Sequence, residues 1–240
     1  MQQGVAATEQ RNAASVDAQH VGWVEARNPA STPRQAGFIN PAYLLALAAA
    51  LAIAFLSGCS RDGKPAALKF NTTDITGASF GQSLSLNDAA TQQPRTLADF
   101  KGKATVFFFG YMFCPDYCPT TMTTLNAALA KMKPSDAENV NVVFVTVDPK
   151  RDVPAELTKY VNAFNPKFKA LYGTDEQTAA VAKEFKIVYQ KAQIKDENTY
   201  LVDHSTQMYV FDPQGRIRLL VRHEAGADTI AADLSTLLRS

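Results

Sequence analysis

Two long apolar runs stand out in the pattern of hydrophobic and polar positions along the chain. Residues 105–109 are β-branched and aromatic without any charge, and residues 140–147 have the same character apart from one asparagine. Runs of this kind, without alternation, are typical of strands that are buried on both faces of a sheet. The pattern therefore predicts two strands at the centre of the fold, the first of which Gly110 ends.

A helical pattern follows the first run and extends to Met132. Its apolar positions recur at intervals of three and four residues, which places them on one face of a helix: Cys118, Met122, Leu125, Leu129 and Met132. Met122 and Met132 are interpreted as core residues because both lie on this face. Further helices are predicted from Pro154 to residue 164, after the capping-box sequence of residues 174–177, and over residues 230–238.

Shorter strands are predicted at residues 70–75, 83–86, 169–172 and 187–194, and a hairpin at residues 207–211 and 217–221. The succession of strands and helices predicts an α/β fold in which helices flank a central mixed β-sheet. The pattern shows no internal repeat and no second domain boundary. We therefore expect one folded domain over residues 69–240.

The N-terminal quarter predicts a targeting segment. Residues 41–56 contain no charge and no strongly polar group, and they end in Leu56-Ser57-Gly58-Cys59. Such a run is short for a membrane span and fits the apolar core of a secretory signal. The tetrad resembles the lipobox of bacterial lipoproteins, which implies cleavage before Cys59 and lipidation of its thiol. We expect residues 1–58 to be a leader and residues 59–68 a tether; an uncleaved anchor helix is the alternative.

The net charge and the cysteine content restrict the classes of partner and of chemistry that the chain can have. The formal net charge of +1 argues against nucleic acid as a partner. The chain has three cysteines. If Cys59 is lipidated, Cys114 and Cys118 are the remaining thiols, in an exported domain where disulfides are permitted.

Cys114 and Cys118 lie four residues apart at the junction between the first buried strand and the helix, a favoured place for an active site in an α/β sheet. Side chains at this spacing share one face of a helical turn, so the two sulfurs can bind one metal ion or form a disulfide. We expect the regular helix to begin near Pro119. The helix dipole would then lower the pKa of the Cys118 thiol. A buried structural pair is the alternative.

Two thiols do not complete a metal site, so a third ligand is needed. His204 is the better candidate, because it lies near the start of a predicted strand beside Asp203, whereas His223 is flanked by charged residues and is expected at the surface. A purely structural histidine is the alternative. Two sulfurs and one imidazole nitrogen fit three-coordinate copper better than four-coordinate zinc. Asp148 and Asp203 are candidates for orienting ligands or docking a partner. The alternative is a role in forming turns, which we favour for Asp148 because it precedes Pro149.

Four motifs together resemble the Sco/SenC family of copper-binding, thioredoxin-like proteins: Phe109-Gly110-Tyr111, Cys114-Pro115-Asp116-Tyr117-Cys118-Pro119, Val147-Asp148-Pro149 with Arg151-Asp152, and Asp203-His204-Ser205. The resemblance implies a thioredoxin-like fold and copper bound by Cys114, Cys118 and His204. It also implies a role in building the dinuclear copper centre of cytochrome c oxidase subunit II, by a domain attached to the outer, periplasmic or extracytoplasmic side of a membrane.

Met112 departs from the family pattern, which usually has threonine at this position. Methionine cannot donate a hydrogen bond to a thiolate; its thioether is either a packing group, which we favour, or an added soft ligand. Three functions use the same cysteines: a copper-binding assembly factor, a thiol–disulfide oxidoreductase with Cys114 and Cys118 as catalytic residues, and a peroxiredoxin-like peroxidase. The peroxidase requires a polar donor where Met112 stands. His204 distinguishes the first two.

Overall fold

An eight-stranded mixed sheet forms the middle layer of the structure, a computed structural model that describes Ala42 and residues 68–239. A separate two-stranded sheet lies outside it. In chain order the strands are β1 Thr73–Asp74, β2 Leu86–Asp88, β3 Pro94–Arg95, β4 Ala104–Gly110, β5 Val140–Thr146, β6 Lys169–Tyr172, β7 Tyr189–Ala192, β8 Leu201–His204, β9 Met208–Phe211 and β10 Ile217–Val221. The large sheet has the order β1-β10-β9-β4-β5-β6-β2-β3.

The two apolar runs form the centre of this sheet, as predicted. β4 and β5 pair in parallel, with Phe108 opposite Phe144, and β9 pairs antiparallel to the other edge of β4. All seven β4 residues are buried, because helices and loops cover both faces of the sheet. The prediction of a layered α/β domain with a mixed sheet is confirmed.

Five helices cover the sheet within residues 68–239: α1 Tyr117–Lys131, α2 Pro134–Ala137, α3 Pro154–Phe164, α4 Asp175–Glu184 and α5 Ala227–Leu237. A short 3₁₀ helix, Leu97–Phe100, precedes β4. The predicted capping box of α4 is present, since Thr174 Oγ1 accepts from the Gln177 backbone N–H and Gln177 Oε1 accepts from the Thr174 backbone N–H. Helix α2 was not predicted.

Side chains of β4 alternate between two packed layers. Phe107 and Phe109 contact Phe185, which follows α4, on one face of the sheet. Phe108 contacts Phe144 on the other face, and Phe144 in turn contacts Tyr160 of α3. Helix α1 lies on this second face, where its buried residues include Cys118, Met122 and Leu125. The face that holds α1 is therefore the face that holds the cysteines.

β7 and β8 pair only with each other, in register from Tyr189 opposite His204 to Ala192 opposite Leu201. The strand predicted at residues 187–194 is thus present, but its partner was not predicted. His204 ends β8 rather than preceding β9, because residues 205–207 separate the two strands. The first two predicted strands are shorter than expected.

The predicted leader, with Cys59 and most of the tether, lies outside residues 68–239, so these predictions stay predictions. No helix among the described residues combines the length and the apolar character that a membrane crossing requires.

Candidate metal centre

The two cysteines lie at the carboxyl end of β4. Cys114 is in the loop between β4 and α1, where its N–H donates to the Tyr111 carbonyl oxygen at 3.2 Å. Cys118 is in the first turn of α1, which begins at Tyr117, two residues earlier than expected. Pro119 is tolerated there because backbone N–H groups of a first turn have no intrahelical acceptor. Both cysteines are free thiols; Cys118 is fully buried, and Cys114 is 8% exposed.

His204 approaches the cysteines from the end of β8. Its Nε2 lies 3.5 Å from Cys118 Sγ, and its Nδ1 lies 2.9 Å from the Ser205 carbonyl oxygen. A carbonyl oxygen only accepts, so Nδ1 carries a hydrogen, and Nε2 is the ring nitrogen that faces the sulfur. The ring is held edge-on by Phe108 and Tyr111, with centroids 6.4 and 5.7 Å away.

The ligand atoms of Cys114, Cys118 and His204 all lie within 4.8 Å of one another. Two sulfurs bound to one ion at about 2.3 Å each are at most about 4.6 Å apart. The three atoms therefore need only small side-chain movements to bind one metal ion. The structure thus brings together the three residues that the sequence singled out, although they span ninety positions of the chain.

The protonation of the two thiols is unequal. The Cys118 thiol donates a hydrogen bond that lowers the pKa of Cys114 to about 4, with His204 and backbone groups contributing and burial opposing. The same hydrogen bond, together with burial and the neighbouring thiolate, raises the pKa of Cys118. The predicted lowering at Cys118 is therefore wrong, because the hydrogen bond to Cys114, burial and the neighbouring negative charge all favour the protonated thiol.

Gly110 has a role that the sequence did not reveal. It is the last residue of β4, where it pairs with Thr146. A Cβ atom at this position would lie 2.6 Å from Cys118 Sγ and 3.0 Å from Phe144 Cε2. The missing side chain therefore makes the space that the Cys118 sulfur occupies.

Asp152, the last residue of the motif that begins at Val147, is fully buried beneath the cysteine loop. Its carboxylate accepts from the Met112 N–H at 3.1 and 3.3 Å and from the Thr146 hydroxyl at 2.6 Å. Burial raises the pKa of this carboxyl to about 6, against the lowering effect of these hydrogen bonds. The Met112 side chain packs partly buried against the core, as we favoured.

The remaining candidates fall outside the group of three. His223 is half-buried rather than solvated, with its ring edge-on to Tyr117 at 4.9 Å and its Nδ1 3.4 Å from the Thr206 hydroxyl. Asp203 is exposed on β8. Asp148 is buried and forms a turn, in which its carbonyl oxygen accepts from Asp152, and its carboxylate binds Arg151 and the Tyr200 hydroxyl.

An open cleft of about 240 Å³ lies beside the site, lined among others by Cys114, Pro115, Tyr117, Leu201, His204 and Thr206. Phe113 and Tyr117, on either side of Cys114 in the sequence, are 55% and 47% exposed. The less buried of the two sulfurs and the imidazole are thus adjacent to a surface that a second molecule can reach.

A family model described as SCO1/SenC matches residues 72–239 of the chain. The mouse protein named SCO2 homolog, mitochondrial, is 36% identical over 124 residues, which are 51% of this chain and 49% of the mouse protein. This chain spans about half the length of the curated relatives that it matches.

Two solved structures are similar over the described domain. ScoI of Bradyrhizobium japonicum with copper bound is 34% identical, with a TM-score of 0.61 over 67% of this chain and 100% of that chain. Apo Sco1 of Thermus thermophilus, solved in solution, is 36% identical, with a TM-score of 0.64 over 72% of this chain and 99% of that chain. The likeness confirms the expected thioredoxin-like fold.

Proposed function

The chain belongs to the SCO1/SenC family, and on that basis we propose that it is a copper metallochaperone that binds copper through Cys114, Cys118 and His204. We further propose that it helps to metallate the dinuclear copper site of cytochrome c oxidase subunit II. The observation that supports the proposal best is the approach of three ligand atoms to within 4.8 Å of one another.

The donor set fits copper by its chemistry. Thiolates and imidazole are ligands that copper(I) accepts readily, and a set of only three donors leaves zinc short of its usual four. One sulfur is already ionised at neutral pH, because the pKa of Cys114 is lowered to about 4. The raised pKa of Cys118 means that this thiol gives up its proton as the metal binds.

Delivery of copper requires that an acceptor reaches the ligands. Cys114 and His204 line the open cleft, whereas Cys118 is fully buried beneath them. An incoming thiol or imidazole of the acceptor can therefore replace ligands one at a time from the cleft side. Copper is here a cargo that passes from one set of ligands to another.

Attachment to a membrane through Cys59 is also proposed, with the domain on the outer, periplasmic or extracytoplasmic side. The support is the lipobox-like tetrad at the end of an uncharged run. A lipid anchor there would keep the copper site near a membrane-bound acceptor, at the end of the tether.

A thiol–disulfide oxidoreductase is the second candidate, favoured by the low pKa and partial exposure of Cys114. The Cys114 thiolate would attack a disulfide of the partner and release one partner thiol. Cys118 would then attack the mixed disulfide, which releases the second partner thiol and leaves a Cys114–Cys118 disulfide. The partner disulfide is reduced to two thiols while Cys114 and Cys118 are oxidised to a disulfide, so no other oxidant is needed. A peroxidase is disfavoured, because it needs a polar donor where Met112 stands: the Met112 side chain has none, and its backbone N–H already donates to Asp152.

Anaerobic copper(I) titration of the reduced full chain, in competition with a chromogenic chelator, tests the proposal. A Cys59→Ser background leaves Cys114 and Cys118 as the thiols. We expect one copper per chain. His204→Ala removes a ligand, so copper binding should weaken by more than the factor of about 10–100 that is typical when a residue supporting a ligand is lost. Formation of the Cys114–Cys118 disulfide should persist in this variant.

His223→Ala is the matched control, since His223 is also half-buried nearby but is outside the group of three ligands. It should leave the affinity for copper unchanged. Tight binding that survives His204→Ala would refute the ligand assignment. Disulfide reduction at useful rates without stoichiometric copper would establish the oxidoreductase instead.

A further inference from the structure

We propose that Arg151 is a positioning residue: it fixes the hairpin that bears His204 against the loop that bears Cys114, and thereby sets the geometry of the three-ligand site. The expected effect on copper affinity rests on the proposed copper function. The role of Arg151 in holding the hairpin rests on contacts alone, and it can be tested in the metal-free protein.

The His204 hairpin, residues 189–204, needs such a restraint. Its two strands pair with each other, and within residues 68–239 they join no strand of the eight-stranded sheet. The cysteines, in contrast, follow directly from β4 at the centre of that sheet. The main-chain ladder of the sheet reaches only to Met208 of β9, four residues after His204. The position of the hairpin relative to the two sulfurs therefore depends also on side-chain contacts between the hairpin and the domain.

Arg151 makes a cluster of these contacts on the hairpin side. Its Nη1 donates to the carbonyl oxygens of Tyr200 at 2.8 Å and Asn198 at 3.3 Å. Its guanidinium carbon lies 3.6 Å from the centroid of the Tyr200 ring. Arg151 thus holds the segment just before β8, through two backbone carbonyls and the Tyr200 side chain.

The same guanidinium faces the cysteine loop. Its carbon lies 4.9 Å from the Phe113 ring centroid and 5.7 Å from that of Tyr111. Phe113 immediately precedes Cys114, and the Tyr111 hydroxyl accepts from the Val202 N–H of β8 at 3.1 Å. One side chain therefore touches both parts of the chain that supply the ligands.

Asp148 anchors Arg151 from below. Its Oδ2 accepts from Arg151 Nε at 2.6 Å, and its Oδ1 accepts from the Tyr200 hydroxyl at 2.8 Å. Asp148, Arg151 and Tyr200 form a closed triangle of contacts, in which each member touches the other two. The guanidinium is planar and is held by Asp148 on one side and by the Tyr200 ring on another, so it has little freedom to rotate. The hairpin residues that it contacts are therefore held in one position.

The energetics also favour a positioning role. The Arg151 and Asp148 side chains are only 10% and 5% exposed, and Arg151 Nη2 is buried without a hydrogen-bond acceptor among the described residues. A buried ion pair with an unpaired donor repays little of its desolvation cost. Such a pair is a poor source of stability, but it imposes a specific geometry.

Arg151→Lys is the decisive variant, since it keeps the charge beside Asp148 and removes the planar fork. In the full chain with Cys59→Ser, copper(I) affinity should fall about 10–100-fold, the range for residues that support metal ligands. Backbone amides of residues 198–204 should exchange hydrogen faster in the metal-free protein. In a His204→Ala background, Arg151→Lys should cause no further loss of affinity, because its effect acts through His204.

Arg218→Lys is the matched control. Arg218 is 11% exposed, pairs with the buried Asp212, donates to the Thr76 hydroxyl and lies 5.8 Å from the Phe70 ring. None of these partners belongs to the His204 hairpin or to the cysteine loop. Arg218→Lys should leave both readouts unchanged. Tyr200→Phe removes only the hydroxyl bonded to Asp148, and it should move both readouts in the same direction as Arg151→Lys by a smaller factor. Tyr200→Phe also provides the test of the inference if Arg151→Lys does not fold.

Wild-type affinity together with unchanged exchange in the hairpin would overturn the inference. A full additional loss in the His204→Ala background would also overturn it, since Arg151 would then act by another route. If the unsubstituted protein binds no copper, the proposed function fails. The inference on Arg151 is then decided by hydrogen exchange alone: faster exchange confined to residues 198–204 supports it, and unchanged exchange refutes it.

Discussion

Replacement of Gly110 by alanine tests how the Cys118 sulfur is accommodated. The added Cβ would lie 2.6 Å from Cys118 Sγ, with Phe144 carbons at 3.0 and 3.2 Å blocking retreat in another direction. Ordinary contacts between such atoms are about 3.5–4.0 Å, so the sulfur has to move by about 1 Å. Metal–ligand distances tolerate only about 0.2 Å. We therefore expect copper(I) affinity to fall on the order of tenfold or more, as for residues that support ligands.

The same substitution should lower the free energy of unfolding by about 1–3 kcal/mol, because overpacking a close-packed core forces side chains from their preferred positions. Gly173→Ala is a control of equal severity. Its Cβ would lie 2.7 Å from Leu86 Cδ2 and 2.9 Å from Gln177 Cβ, and none of these residues is a predicted ligand. Neither glycine has a positive φ, so packing rather than backbone strain sets the cost at both positions.

Urea unfolding of the reduced, metal-free chains and competitive copper(I) titration would be measured on both variants with Cys59→Ser. We expect a similar loss of stability in the two, with weakened copper binding only in Gly110→Ala. The Cys114–Cys118 disulfide equilibrium should shift in the same variant, because it depends on the same sulfur. Equal loss of stability with unchanged copper binding in Gly110→Ala would refute the argument from sulfur position.

Three further predictions concern protonation and attachment. Iodoacetamide should modify Cys114 before Cys118, as read by peptide mass spectrometry. The rate at Cys114 should decline only as the pH falls towards the pKa of Cys114, about 4; a rate that instead falls off around pH 8.5, the pKa of a free cysteine, would contradict this. Because the pKa of Asp152 is raised from 3.8 to about 6, the stability it contributes is present below pH 3.8 and is lost as the pH rises through about 6. Urea unfolding should therefore show the wild type losing about 2 kcal/mol relative to Asp152→Asn between about pH 4.5 and 7.5, whereas a constant difference would refute the shift. Cys59→Ser should release the chain from the membrane fraction and abolish labelling by fatty acid; retention in the membrane would favour the uncleaved anchor helix.

Local sequence was sufficient for the elements that carry their own signal. The central strands β4 and β5 are apolar at nearly every position, and the amphipathic face of α1 and the capping box of α4 follow from the spacing of a few residues. These signals depend on neighbours in the sequence, so they survive without knowledge of the fold. Two-residue strands such as β1 and β3 lack enough positions to form a pattern, and their extent was not predicted.

The residue types of the metal ligands were predictable from the sequence, but the protonation states of the two thiols were not. The soft donor set of Cys114, Cys118 and His204 could be chosen from residue types and motifs, whereas the order in which the two thiols ionise could not. That order depends on which sulfur donates to the other and on how completely each is buried. Sequence spacing contains neither quantity, and the lowering at Cys118 that the helix terminus suggested is not what the structure gives.

The sequence alone determined the α/β succession, the two cysteines at a strand–helix junction, and the family motifs. Only the tertiary structure decided that a separate hairpin brings His204 to 3.5 Å from Cys118, that the absent side chain of Gly110 makes room for the sulfur, and that Arg151 joins the hairpin to the cysteine loop. Hydrophobic periodicity is a property of one segment. Distances between side chains from different segments arise when those segments pack, and a metal site is made of such distances.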